Sequence, residues 1–159
     1  MAAYRKKTYR EKLADQKDFP RVEPLTGGFK RRFGPGTIVL PAPREVDELM
    51  RRVRRGRLTT INEIRAHLAR RHGATIACPI VTGIYARIAA GAAGEAEAEG
   101  AKRVTPYWRT LKSNGELNEK YPGGLAAQRR RLEAEGVRVE ARRRRLFVVE
   151  YQRRLADLG

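Results

Sequence analysis

One cysteine and two histidines in 159 residues leave little material for thiol or metal chemistry. Cys78 alone cannot close an internal disulfide or build a multi-cysteine metal site. His67 and His72 miss the i, i+4 spacing that places two side chains on one helical face, so both read as surface histidines and no metal is expected. Acids are scarce, 18 against 35 Lys and Arg, and aromatics make up only 7 %. No apolar run approaches the roughly 18 residues needed to span a bilayer. The opening "MAAYRKKTYREK" also lacks the apolar stretch of a secretory signal. A cytoplasmic protein without membrane contact is expected. No Ser-His-Asp or paired-carboxylate constellation is visible, so neither an enzyme nor a cofactor is expected.

What is present in excess is positive charge. A formal +17 and an isoelectric point near 11.0 call for a polyanionic partner, most simply nucleic acid. The plainer alternative is a solvated charged surface on an arginine-biased chain. With 41 % hydrophobic residues the chain has enough for one modest core.

Residues 1–43 read as a basic arm rather than core. "YRKKTYREKLADQK" suits a short helix that is charged nearly all round, and a Pro/Gly-rich stretch follows. In that stretch Lys30, Arg31 and Arg32 stand between Phe29 and Phe33. Cations beside aromatics suit phosphate contact with stacking, although the phenylalanines could equally pin the segment to the domain. "TIVL" (37–40) reads as a strand.

The compact part begins near Arg44. Val46, Leu49, Met50 and Val53 form a helical stripe, which Gly56 is placed to end. Thr60 and Glu63 make a capping box for a second helix that buries Ile61, Ile64 and Leu68 and stops at Gly73. Pro79 opens a third helix in the favoured first position, with Cys78 as an inert N-cap rather than a reactive thiol.

On that third helix, Ile80, Val81, Ile84, Tyr85 and Ile88 share one arc, and Thr82, Gly83, Ala86, Ala90 and Arg87 share the opposite one. The small-residue arc suits close approach to something narrow, and a tightly packed helix partner explains it equally well. The short connection between helices two and three suggests a helix-turn-helix.

Further on, "GEAEAEG" (94–100) should face away from any nucleic acid. Asn114-Gly115 signals a hairpin, and a short helix stops at Gly136. Arg142–Arg145 suit phosphate contact or a solvated patch, ahead of a final basic helix.

Between about Val46 and Glu140 the chain resembles the C-terminal DNA-binding domain of the alkylguanine-DNA alkyltransferases and their non-enzymatic alkyltransferase-like relatives. The family's Pro-Cys-His-Arg motif reads here as Pro106-Tyr107-Trp108-Arg109. Its Gly-containing turn corresponds to Asn114-Gly115, its Tyr-x-Gly-Gly to Tyr121-Pro122-Gly123-Gly124, and its Glu-Gly to Glu135-Gly136. The resemblance implies a mostly α, winged-helix-like helix-turn-helix domain with a short hairpin at 44–140. The arm at 1–43 and a basic C-terminal extension at 141–159 lie outside it.

It further implies a monomer that binds duplex DNA through the minor groove, and would be nucleoid-associated when bound. Alkylated guanine and a repair-pathway protein are the partners it suggests. The DNA-contacting residues would be Thr60, Thr82, Gly83, Ala86, Arg87 and Arg109. A base pocket would be formed by Tyr107, Trp108, Tyr121, Gly123 and Gly124.

Chemistry does not carry over. Tyr107 stands at the family's nucleophilic cysteine, and a phenol with a pKa of about 10 is a poor methyl acceptor. Trp108 stands at the activating histidine, and an indole only donates. Glu135 is then expected to be a structural hydrogen-bonding residue. Ile61 replaces the tyrosine that rotates the target phosphate. The base-replacing arginine falls near Pro79, with Arg87 a distant substitute. The expected function is non-catalytic DNA binding, with alkylated or modified guanine as its possible target. The alternative is a basic structural or RNA-associated scaffold with a closed pocket.

Overall fold

The computed structural model describes residues 5–159. Its centre is a trio of helices whose apolar stripes meet. Helix α3 (Pro43–Arg51) starts with a proline and with the Glu45 carboxylate accepting the Ala42 N–H at 3.0 Å. Helix α4 (Ile61–His72) starts with Thr60 Oγ1 accepting the Glu63 N–H at 3.2 Å and ends on left-handed Gly73. Helix α5 (Pro79–Ala98) follows after residues 73–78. Val46, Leu49, Met50, Ile64 and Leu68 are fully buried between them. Each such side chain contributes about 1.5–3 kcal/mol by leaving water. Helices α4 and α5 stand in helix-turn-helix order within a mostly helical fold.

The segment expected to be an arm is instead part of the body. Helix α1 (Tyr9–Ala14) lies on α5, with the Tyr9 ring set over Gly91 where any Cβ would collide with it. Glu95 of α5 accepts the N–H groups of Tyr9 and Arg10 at 3.0 and 2.9 Å, capping α1 from outside. Strand β1 (Arg21–Pro24) pairs antiparallel with β2 (Thr37–Leu40), Val22 opposite Val39, and β2 pairs in parallel with β4 (Ile76–Ala77). Between β1 and β2, helix α2 (Gly27–Phe33) presses Phe29 and Phe33 onto Leu25, Ile38, Cys78 and Val81. The correction has a simple cause: burying Leu25 and Ile38 under Phe29 and Phe33, and Val39 in the first core, takes their apolar surface out of water.

A second core gathers Leu58, Leu111, Leu117, Leu132, Val137, Val139 and Val148. Strand β3 (Thr59–Thr60) pairs in parallel with β5 (Thr110–Leu111). Helix α6 (Gly124–Ala134) and the antiparallel pair β6 (Val139–Arg142) and β7 (Arg145–Val148) complete it. The two-stranded hairpin is therefore at 139–148, turning at Arg143 (φ 59°), whereas Asn114-Gly115 makes only a tight turn whose exit pairs with β7.

The expected final helix is a single 3-10 turn, Tyr151–Arg154. The tail then folds back: Ala156 N donates to Leu58 O at 2.8 Å, and Leu158 is buried in the first core. The last residues thus belong to the body as well. Among the described residues, no helix is long and apolar enough to cross a membrane, and no cluster of His, Cys, Asp or Glu is arranged to hold a metal ion.

Candidate nucleic-acid interface

Helix α5 is rotated from its hydrophobic pattern, although Tyr85 of the apolar arc stays buried and Val81 and Ile88 pack partly against the core. Thr82, Ala86, Ala89 and Ala90 point into the first core, each at most 1 % exposed, while Ile80 and Ile84 are 62 % and 41 % exposed. The cause is crowding. Helices α1, α3 and α4 all lean on α5, and only alanine-sized side chains let backbones come that close. Thr82 is consumed locally, its hydroxyl donating to Cys78 O at 2.7 Å. The outward face carries Ile80, Gly83, Ile84 and Arg87, one helical stripe at i, i+3, i+4 and i+7. Gly83 has open space above its Cα. Arg87 is exposed, with no carboxylate partner among the described residues.

Four of the six residues expected to meet DNA therefore point elsewhere. Thr82 and Ala86 are core. Thr60 is 1 % exposed and spent on the α4 cap. Arg109 donates through Nε to Glu135 Oε1 at 2.6 Å and through Nη1 to Val53 O at 2.7 Å, a partly buried ion pair turned inward rather than a phosphate contact. Only Gly83 and Arg87 of that set reach the surface.

Positive charge gathers at the N-terminal end of the same helix. Arg65, from α4, donates Nε to Ala77 O at 2.9 Å and Nη1 to Asn62 Oδ1 at 3.1 Å, which fixes it beside the first turn of α5. Partial burial holds its pKa below the ordinary arginine value, and the neighbouring Arg32 charge pulls in the same direction. Sequence patterning gave no hint of Ile80, Ile84 or Arg65. The available signal was the alanine content of the supposed outer arc of α5, which suits a helix crossed by several others.

The motif region is packed shut. Tyr107 sits in a 3-10 turn (Tyr107–Arg109), is 2 % exposed, and meets Trp108 edge-on at 5.3 Å and Tyr121 edge-on at 5.6 Å between ring centroids. Arg131 lies over the Trp108 ring at 4.3 Å, held by Glu97 at 2.8 Å. Trp108 Nε1 donates to Glu135 Oε2 at 2.8 Å. Tyr121 is likewise 2 % exposed, and its hydroxyl finds no hydrogen-bond partner among the described residues. Burial raises the pKa of both tyrosines.

The expected base pocket is thus filled by its own lining, because three aromatics stack into the space that a base would need. Gly123 and Gly124 (φ 80° and 71°) turn the chain into α6, a conformation that suits glycine whatever the function. The surroundings point the same way. Burial keeps His67 below its ordinary pKa, helped by Arg71, Arg52 and Arg70, and at 9 % exposure it is not the surface histidine expected. The acids of "GEAEAEG" staple the body together: Glu95 caps α1, Glu97 holds Arg131 and Glu99 pairs with Arg10.

Open space lies on the outward line of α5 instead. A cleft of about 750 Å³ is bounded by Tyr9, Arg87, Gly91, Gly94, Lys120 and Pro122. Neither Arg87 nor Lys120 has a carboxylate partner among the described residues.

No family model and no curated protein sequence matches the chain. Two solved structures are similar in fold. One is S. pombe Atl1 in complex with damaged DNA containing O6-carboxymethylguanine, with 20 % identity, a TM-score of 0.48, and coverage of 72 % of this chain and 94 % of that one. The other is S. pombe ATL in complex with DNA, with 19 % identity, a TM-score of 0.47 and the same coverage.

Proposed function

We propose that this protein binds duplex DNA non-covalently, laying the outward face of α5 along a groove and its flanking cations on the phosphates. One observation carries the reading. The second helix of a helix-turn-helix presents Ile80, Gly83, Ile84 and Arg87 to solvent in a chain of net charge +17. Exposed isoleucines in so basic a chain need a partner that is apolar in its groove and anionic at its edges. A minor groove about 6 Å wide has apolar sugar walls between two rows of phosphates.

No catalytic role is proposed. Tyr107 is a buried phenol whose pKa burial raises further, and Trp108 and Arg109 hold the Glu135 carboxylate. The aromatic cluster of Tyr107, Trp108 and Tyr121 acts as packing.

A second reading, recognition of an alkylated guanine as in the DNA bound by S. pombe Atl1, is favoured by the cleft between Arg87 and Pro122, which lies on the same helix face. Either Tyr121 would move or the base would occupy that outer cleft.

Equilibrium binding to four ligands separates the possibilities: a matched duplex, the same duplex with one alkylguanine, single-stranded DNA and RNA. The first reading predicts equal affinity for the two duplexes and weaker binding of both single strands. A clear preference for the alkylated duplex would favour the second. Preference for RNA would return the chain to the class of basic scaffolds.

A further inference from the structure

Helix α2 is a short basic helix inserted between two strands, and its role is not explained by packing alone. Its inner side is anchored: Phe29 and Phe33 bury against Cys78 and Val81, at the start of α5. Its strands tie it to β4, immediately before α5. Gly34 ends it with a positive φ of 82°, its N–H bonded to Lys30 O at 2.8 Å. Lys30, Arg31 and Arg32 are therefore carried by a rigid support and remain exposed.

These cations are also unpaired. Among the described residues, none of the three has a carboxylate within ion-pair distance, and neither does Arg65. Elsewhere in the chain acids are matched to arginines, as in Arg10 with Glu99, Arg71 with Glu45 and Arg131 with Glu97. Arg65 is held at the start of α5 by Ala77 O and Asn62 Oδ1, the same end against which α2 packs through Phe29 and Phe33. Cations gathered at one end of a helix without acids among them suit an oxyanion ligand.

We propose that α2 is a phosphate clamp, in which Lys30, Arg31 and Arg32 join Arg65 to grip the backbone of the duplex whose groove meets Ile80 and Ile84. The proposal rests on the DNA-binding reading and adds a second point of attachment to it. Arg87 lies seven residues beyond Ile80, roughly 10 Å along the helix at 1.5 Å per residue. The two cation groups thus flank the exposed isoleucines from opposite ends. A regularly charged backbone can satisfy both groups at once, whereas an isolated carboxylate would reach only one.

The test compares two charge-matched double variants in salt titrations of a matched duplex. Arg31→Gln/Arg32→Gln removes clamp charge, and Lys102→Gln/Arg103→Gln removes the same charge beyond the far, acidic end of α5. All four side chains are exposed, and equal thermal midpoints confirm that both variants are folded. Each lost phosphate contact lowers the steepness of log K against log salt by about 0.9. The clamp variant should lose up to about two such units and its backbone protection on one flank of the site. The Lys102/Arg103 variant should keep the wild-type slope. An unchanged slope in the clamp variant, or equal loss in both, overturns the clamp while leaving DNA binding intact. Failure of the wild-type protein to bind duplex at all overturns the underlying reading too.

Discussion

Trp108 Nε1 donates to Glu135 Oε2 at 2.8 Å, and Arg109 Nε donates to the other oxygen of the same carboxylate at 2.6 Å. Glu135 also receives the Gly56 N–H at 3.4 Å. The carboxylate is therefore a junction between the motif turn, the loop after α3 and the end of α6. It is not free to polarise a base. Glu135→Ala would leave the partly buried Arg109 guanidinium without its counter-ion. Breaking a fully buried pair costs about 3–5 kcal/mol, and this partly buried one should lose less. Urea denaturation should show that loss, while DNA affinity per folded molecule stays near wild type. A stable variant with lost binding would instead put Glu135 at the interface.

The same geometry forecasts the behaviour of a restored nucleophile. In a Tyr107→Cys variant the thiol would lie beneath Tyr121 and beside an indole that only donates. With an ordinary pKa of about 8.5, few molecules would carry a thiolate at neutral pH. Mass spectrometry after incubation with a methylated duplex should find no methylated protein. Stoichiometric single methylation within minutes would show that the aromatic cluster opens readily and that the site still admits a base.

Helix α5 offers a paired test of its orientation. Ala86 is 1 % exposed between helices, so Ala86→Trp forces a large ring into a filled core. Overpacking by even a few methylenes costs about 1–3 kcal/mol, and an indole should exceed that and unfold much of the protein. Ile84→Glu, on the exposed face, should leave the thermal midpoint almost unchanged. The reverse pattern in circular dichroism melts would mean that the helix is turned the other way.

That orientation is also where sequence reasoning reached its limit. Helices α3 and α4 were legible because their apolar residues recur at helical spacing and Thr60 and Glu63 cap the second, whereas the Pro43 and Glu45 start of α3 emerged only in the structure. The start of α5 was legible from Pro79. Its rotation was not, because hydrophobicity ranks Ile80 above Ala86, whereas packing selected the residue small enough for the space between crossing helices. The alternative of a tightly packed helix partner, raised by the small residues themselves, is the one the structure shows. The arm was misread for a related reason. Residues 21–40 are rich in Pro, Gly and charge, and their pairing partner, β4, is distant in sequence. The turn at Asn114-Gly115 was legible, but the strand its exit joins lies some thirty residues later.

His67 supplies a pH prediction. Burial lowers its folded pKa below the ordinary value near 6.5, with Arg71, Arg52 and Arg70 acting in the same direction. The unfolded chain therefore takes up a proton more readily than the folded one as pH falls below about 6.5. Stability should be level above that point and fall on acidification towards the lowered folded pKa. In His67→Gln the decline between pH 7 and 5.5 should be shallower in denaturant midpoints. An identical decline in both proteins would assign the pH dependence to other groups.

The account stands on the outward face of α5 meeting duplex DNA, and salt-dependent binding by wild type and Ile84→Glu tests it most directly. If about six phosphates are contacted, log K against log salt should fall with a slope near −5 for the wild-type protein. At a fixed salt concentration Ile84→Glu should bind at least about tenfold more weakly, a loss of roughly 1.4 kcal/mol, with its fold intact. Wild-type affinity that is flat between low and physiological salt, or an Ile84→Glu protein that binds as well as wild type, would contradict the claim.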